Sequence, residues 1–389
     1  MRRARARRAG TFLVVAGLCL LAGCEGLPRL APNILPAMGT PDGHPPAVRV
    51  FFATDRAPTG ATAIGGRFSG GRSRTVTYGE ALVSIPADHR CGRIERPGLL
   101  EVESPARHVK LMDVKVVGNS RSDDGADAFI EALQAQVARS SRREVLVFVH
   151  GYASPFDDML RRTAQLAHDL QFDGVPVLYS WPSEGLLLSY LVDASNSEWT
   201  VPYFARFLDL LVRRSGAEHI HVIGHSMGTR VVSRGVRDYM ALRGGRGGLA
   251  GASGRRGTAT DSPYPLDQVI LAAADMDVDI FERDYVPSLL EAARRTTIYM
   301  SRKDKALGIS LQLNGYDRLG RTDLPNVDLD DLKRIEVVDA TEYDNDLVGH
   351  YYYASNPAVL ADLRRVLRGE APQERELQRE FIYRMRRHQ

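Results

Sequence analysis

A serine between two glycines, in Gly224-His225-Ser226-Met227-Gly228, is the stretch of this 389-residue chain best suited to covalent chemistry. The residues before it, His219 to Ile223, read as a short strand. After it, Val232, Val236 and Met240 recur every fourth position, as on one side of a helix. A serine set on so tight a strand-to-helix turn presents its hydroxyl outward, which requires nearly side-chain-free residues at 224 and 228. The N-terminus of the following helix favours negative charge developing beside the serine. This is the pattern of a nucleophile elbow. In a chain holding 35 glycines the five residues alone carry little weight, and the surrounding elements decide the matter.

A serine hydroxyl is a weak nucleophile and needs a histidine base, itself held by a carboxylate. On a sheet carrying such an elbow the acid and then the histidine follow the serine along the chain. Only His350 and His388 lie downstream of Ser226. His388 is the penultimate residue of a charged tail, whereas His350 follows the last predicted strand, so His350 is the expected base. For the acid, Asp304 is favoured by its place just beyond the strand Thr297 to Met300. Asp275 and Asp277, which follow an earlier strand, are the alternatives. A tetrahedral oxyanion needs backbone donors: the Met227 amide, next after the nucleophile, and the Tyr152 amide in His150-Gly151-Tyr152, after an earlier strand. His150 is expected to brace that loop.

The elements that must position these residues alternate between apolar strands and amphipathic helices from about residue 124 onward. This predicts an α/β architecture, a mostly parallel central sheet with helices on both faces. Predicted strands include Val145 to Val149, Val175 to Trp181, Val269 to Leu271, Thr297 to Met300 and Ile335 to Val338, with helices near 124–138 and 199–213. Upstream, Val48 to Phe52, Glu80 to Pro86 and Val114 to Val117 read as strands, and Gly60 to Gly71 as a loop. The Gly- and Arg-rich stretch 244–260 has no core pattern and reads as a surface insertion. Leu377, Phe381 and Met385 stand at helical spacing in the tail, predicting a surface helix there. Trp181, Leu186 to Leu188 and Tyr190 are candidates for lining an acyl pocket beyond the strand ends.

The formal charge of +3 rests on five arginines within the first 23 residues, and removing them leaves the balance at −2. Composition therefore gives no electrostatic reason for nucleic-acid binding. Those arginines precede the apolar run Thr11 to Gly23, which is short for a bilayer span and suits a signal peptide. Its end, Leu21-Ala22-Gly23-Cys24, resembles the bacterial lipobox, implying a lipid anchor on Cys24 and a place in the cell envelope on the periplasmic side of the outer membrane. The chain divides into a signal peptide over 1–23, a Pro-rich tether over 24–47, a catalytic domain over 48–368 and a charged tail over 369–389. Cys91 is left without a cysteine partner. His219 and His221 alternate along a strand without the spacing of zinc ligands, and no Walker or Gly-x-Gly-x-x-Gly sequence is present, so neither metal nor cofactor is expected.

With these residues placed, the stretch from about Val48 to Leu367 resembles the α/β-hydrolase superfamily, and within it a bacterial esterase/lipase-like family of undefined function. The resemblance rests on Val50 to Arg56, Val83 to Pro86, Val149-His150-Gly151-Tyr152, Tyr179-Ser180-Trp181-Pro182, the elbow and Ser301-Arg302. It implies a Ser-acid-His hydrolase carried onto Ser226, Asp304 and His350, cleaving a small-molecule ester or thioester through an acyl-enzyme. The alternatives are an acyltransferase using the same three residues and a catalytically inactive envelope scaffold on the same fold.

Overall fold

The computed structural model of the chain describes residues 46–186, 189–247, 262–321, 335–344, 349–375, 377–379 and 383–385. The expected signal peptide, most of the expected tether including Cys24, Leu187, Leu188 and most of the Gly-rich stretch lie outside them. Among the described residues no helix is long and apolar enough to cross a membrane.

Among the described residues eleven strands form one sheet. They are β1 (Ala47–Pro58), β2 (Phe68–Ser84), β3 (Lys110–Asn119), β4 (Glu144–Val149), β5 (Gly174–Ser180), β6 (His219–His225), β7 (Leu266–Ala272), β8 (Ala293–Met300), β9 (Ile335–Asp339), β10 (Leu377–Arg379) and β11 (Tyr383–Met385). Their order across the sheet is β10-β11-β9-β8-β7-β6-β4-β5-β1-β2-β3. From β1 through β5, β4, β6, β7 and β8 to β9 every pairing is parallel, and β2 and β3 extend the β1 edge antiparallel.

The apolar run Val145 to Val149 explains why the sheet is covered twice. Successive side chains point to opposite faces. Val145, Val147 and Val149 enter one core cluster, whereas Leu146 and Phe148 enter the other. Helices α1 (Asp123–Val137), α4 (Val201–Arg214) and α5 (Gly228–Gly247) cover the first face with Phe129, Phe204, Leu208, Val232 and Val236. Helices α2 (Phe156–Asp169) and α8 (Pro357–Leu367) cover the second with Leu160, Ala164, Leu360 and Leu363. The remaining longer helices are α3 (Tyr190–Trp199), α6 (Val286–Ala292) and α7 (Lys305–Asn314).

Two expectations are corrected, the extent of the Gly60 to Gly71 loop and the helix in the tail. The loop predicted over Gly60 to Gly71 ends early, because β2 already begins at Phe68 and runs 17 residues beside β1. The helix predicted near 199–213 is present as α4, with Pro202 in its first turn, where a missing N–H costs nothing, and a separate helix, α3, precedes it. The tail is a hairpin and not a helix: β10 and β11 pair antiparallel, and β11 adds to β9. Leu377 joins the second core cluster, and buried Arg375 ties the tail to Asp362 and Glu336. Three apolar residues four apart could not reveal pairing with a strand some forty positions upstream.

Candidate active site

The Gly-x-Ser-x-Gly turn joins β6 to α5, and Ser226 sits at its apex with φ +51°, a left-handed conformation that is costly for a residue with a Cβ. Local hydrogen bonds hold it there. Ser226 N–H donates to the Ala272 carbonyl at 3.0 Å, while its own carbonyl accepts from Thr229 N–H at 3.0 Å and Thr229 Oγ1 at 2.6 Å. A Cβ at Gly228 would collide with the carbonyl oxygens of Val149 and His150. A Cβ at Gly151 would press within 2.9 Å of Ser226 Cβ. The close approach of β4, its following loop and the serine turn therefore requires both glycines.

His350 and Asp304 come together from two loops. Asp304 follows β8 and caps α7, its Oδ1 accepting from Leu307 N–H at 2.9 Å. Its Oδ2 lies 2.7 Å from His350 Nδ1, with both side chains nearly buried. The helix N-terminus stabilises the carboxylate, and the carboxylate fixes the imidazole so that Nε2 is the atom able to take a proton. The alternative acids are engaged elsewhere. Asp277 caps a short turn by accepting from Ile280 N–H at 3.0 Å. Asp275 is bound by Arg230 at 3.0 Å and Arg318 at 2.9 Å, which outweigh burial and bring its carboxyl down to about 2.

His225 links the histidine loop to the serine turn: its Nε2 donates to the His350 carbonyl at 3.0 Å, and the two rings lie 4.7 Å apart. Burial and then His350 hold its pKa well below the usual histidine value. It therefore acts as a neutral spacer.

The loop 150–154, which carries the Tyr152 amide, is held from beneath. Arg56 is fully buried and donates from Nε to Ser180 Oγ at 2.8 Å, from Nη1 to Ser183 O at 2.9 Å and from Nη2 to Ser154 O at 2.6 Å. Arg56 Nη2 also meets His150 Nε2 at 3.1 Å. A guanidinium only donates, so Nε2 accepts, and His150 Nδ1–H donates to Gly151 O at 2.7 Å. Burial and then Arg56 depress the His150 pKa far below normal, which suits the bracing role expected for it.

Trp181 requires correction. It was expected to line an acyl pocket, but it is fully buried, its ring stacks on His150 at 5.0 Å and its Nε1 donates to His150 O at 2.7 Å. It supports the loop from behind. Tyr190 is half-buried, with its ring edge-on to Tyr152 at 5.5 Å, which sets it beside the same loop. Leu186 is exposed. Sequence reasoning gave Arg56 no role: an arginine at the end of an apolar strand has no local mark of a scaffold residue, beyond being a charge in an otherwise buried run.

Elsewhere, His219 pairs with Asp267, and His221 is buried near Glu144. Among the described residues, His89, His168 and Asp169 form a group of metal-ligand types at the end of α2 remote from Ser226. Both His89 nitrogens are bound there, at 2.8 Å each, to Glu95 and Asp169. Cys91 is exposed, and partial desolvation of its thiol together with Asp169 pushes it up to about 12, so it stays protonated at neutral pH.

A sequence-family model described as "Alpha/beta hydrolase of unknown function (DUF900)" matches residues 125–368. Similar solved structures include a predicted CIB-like hydrolase from Thermoplasma acidophilum, with 18% identity, a TM-score of 0.32, and coverage of 59% of this chain and 88% of that one. Another is a lipase-esterase related protein from Clostridium acetobutylicum, with 9% identity, a TM-score of 0.28, and coverage of 60% and 96% respectively. No curated protein matches the chain.

Proposed function

Because the chain belongs to the α/β-hydrolase family of unknown function DUF900, and so to a family of hydrolase type, we propose that it is a serine hydrolase cleaving carboxylic esters or thioesters through an acyl-enzyme. What supports this reading is a left-handed Ser226 on its strand-to-helix turn, together with His350, held at 2.7 Å by Asp304 in a loop that the His225–His350 hydrogen bond joins to that turn. His350 Nε2 takes the Ser226 Oγ proton as Oγ attacks the carbonyl carbon. Asp304 balances the imidazolium that forms. The amides of Met227 and Tyr152 donate to the oxyanion, helped by the α5 N-terminus. Collapse expels the alcohol or thiol, which takes the proton from His350. Water then repeats the sequence and frees the acid.

Ser226→Ala tests the assignment on short p-nitrophenyl esters. Loss of turnover in a folded variant is expected, and undiminished turnover would remove Ser226 from the mechanism. We place the protein at the membrane by a lipid on Cys24, a reading supported by Leu21-Ala22-Gly23-Cys24. Cys24→Ser should release it from membranes, and a variant that stayed bound with its signal cleaved would refute the anchor.

A further inference from the structure

A polar cluster beside the serine turn takes no part in the acyl steps. Asp275, 2% exposed, follows β7, and its N–H donates to the Ser226 carbonyl at 3.3 Å. Its Oδ1 accepts from Arg318 Nε at 2.9 Å and from Ser310 Oγ. Its Oδ2 accepts from Tyr190 OH at 2.8 Å and Arg230 Nη2 at 3.0 Å, and its carbonyl from Arg230 Nε at 2.6 Å. Within this cluster two guanidiniums meet one carboxylate whose acceptor sites are all spent. Both arginine side chains are withdrawn from water, 11% exposed for Arg230 and 4% for Arg318. Burying cations in excess of anions is unfavourable unless a further anion joins them.

The donor for such an anion is identifiable. Arg230 Nη2 also reaches Tyr190 OH at 2.9 Å, so Nε and Nη2 are engaged, while Nη1 has no partner among the described residues. Arg230 lies four residues beyond Ser226, in the first turn of α5. Its guanidinium carbon stands 5.9 Å from the Tyr190 ring, whose edge-on neighbour is Tyr152 on the loop expected to bind the oxyanion. A guanidinium held by three bonds is aimed before any ligand arrives, and charge-assisted hydrogen bonds to a carboxylate are among the stronger ones available.

We propose, resting on the serine-hydrolase reading, that Arg230 is a specificity residue that binds a carboxylate carried near the scissile carbonyl, so that the preferred substrates are anionic esters. Asp275 and Arg318 aim and charge it. The test compares kcat/KM of the full chain for p-nitrophenyl hemiglutarate and p-nitrophenyl valerate, and for 4-carboxyphenyl and 4-carbamoylphenyl butyrate, which place the charge on the acyl and leaving sides. In at least one pair the anionic ester should lead by on the order of 10- to 100-fold, chiefly through KM. Arg230→Gln should erase that lead, and Arg230→Lys should keep part of it. If Arg230→Gln fails to fold, inhibition of the wild type by glutaramate should still exceed that by glutaramide. Ratios near one in the wild type, a lead unchanged in Arg230→Gln, or equal inhibition would overturn the proposal while leaving the hydrolase standing. A wild type that neither turns over any ester nor reacts with a fluorophosphonate would instead refute the underlying reading, and the proposal with it.

Discussion

Asp304 does two things with two oxygens, since Oδ1 caps α7 through Leu307 N–H and Oδ2 holds His350. Asparagine caps a helix as well as aspartate does. Asp304→Asn should therefore leave thermal stability close to wild type while lowering kcat by on the order of 10³- to 10⁴-fold, as expected when the imidazole loses its orienting charge. A steady-state assay beside a melting curve separates the two effects, and a variant of near-normal kcat would dismiss Asp304 as the acid. At this scale the sequence was informative where spacing is local. Ser226 announces itself by its flanking glycines, and His350 by being one of only two histidines downstream. The acid was harder to read because Asp275 and Asp304 both end strands, and the arginines that claim Asp275 come from helix α5 and from a loop more than forty positions away. Arg56 was illegible for the same reason, since its partners His150, Ser154, Ser180 and Ser183 all lie more than ninety residues downstream.

The strand-to-helix turn works only if α5 can approach β4, and Gly228 is the point of contact. An added methyl there meets two carbonyl oxygens and no flexible side chain that could yield. Gly228→Ala should destabilise the fold by about 1–3 kcal/mol, the usual cost of overpacking, and should displace the Ser226 turn so that ester turnover falls as well. Denaturant unfolding with a parallel assay measures both. A variant with wild-type stability and turnover would mean that the turn does not depend on this approach. Elements buried on both faces were legible because their composition alone marks them, as Val145 to Val149 does. The tail was not, because three apolar residues fit either period, and what makes it a hairpin is the pairing of β11 with β9 and the seat of Arg375 between Asp362 and Glu336.

Across the whole molecule, the antiparallel extension of the sheet is tied to α2 by ion pairs, Arg96 with Asp158 and Glu103 with Arg161 at the surface and a nearly buried histidine among them. His89 lies between β2 and β3 and bonds Glu95 and Asp169, the last residue of α2. Burial lowers its pKa, but the bonds to the two carboxylates outweigh that and raise it to about 9. A folded pKa above the unfolded value of roughly 6.5 means that the stabilisation is fully present below pH ~6.5 and disappears as pH rises through about 9. Wild type should therefore lose on the order of 2 kcal/mol between pH 6 and pH 9.5 that His89→Gln does not lose, as read by urea unfolding at the two pH values. Equal pH dependence in the two proteins would show that this ion pair does not stabilise the join between the extension and α2.

All these scales meet at the reactivity of one hydroxyl. The direct measurement is intact-mass and peptide mapping of the purified, folded chain after exposure to a fluorophosphonate at neutral pH. One adduct is expected, on the peptide containing Ser226, absent in Ser226→Ala and much slowed in His350→Ala. A folded wild type that stays unmodified, or carries its adduct on another residue, would contradict it.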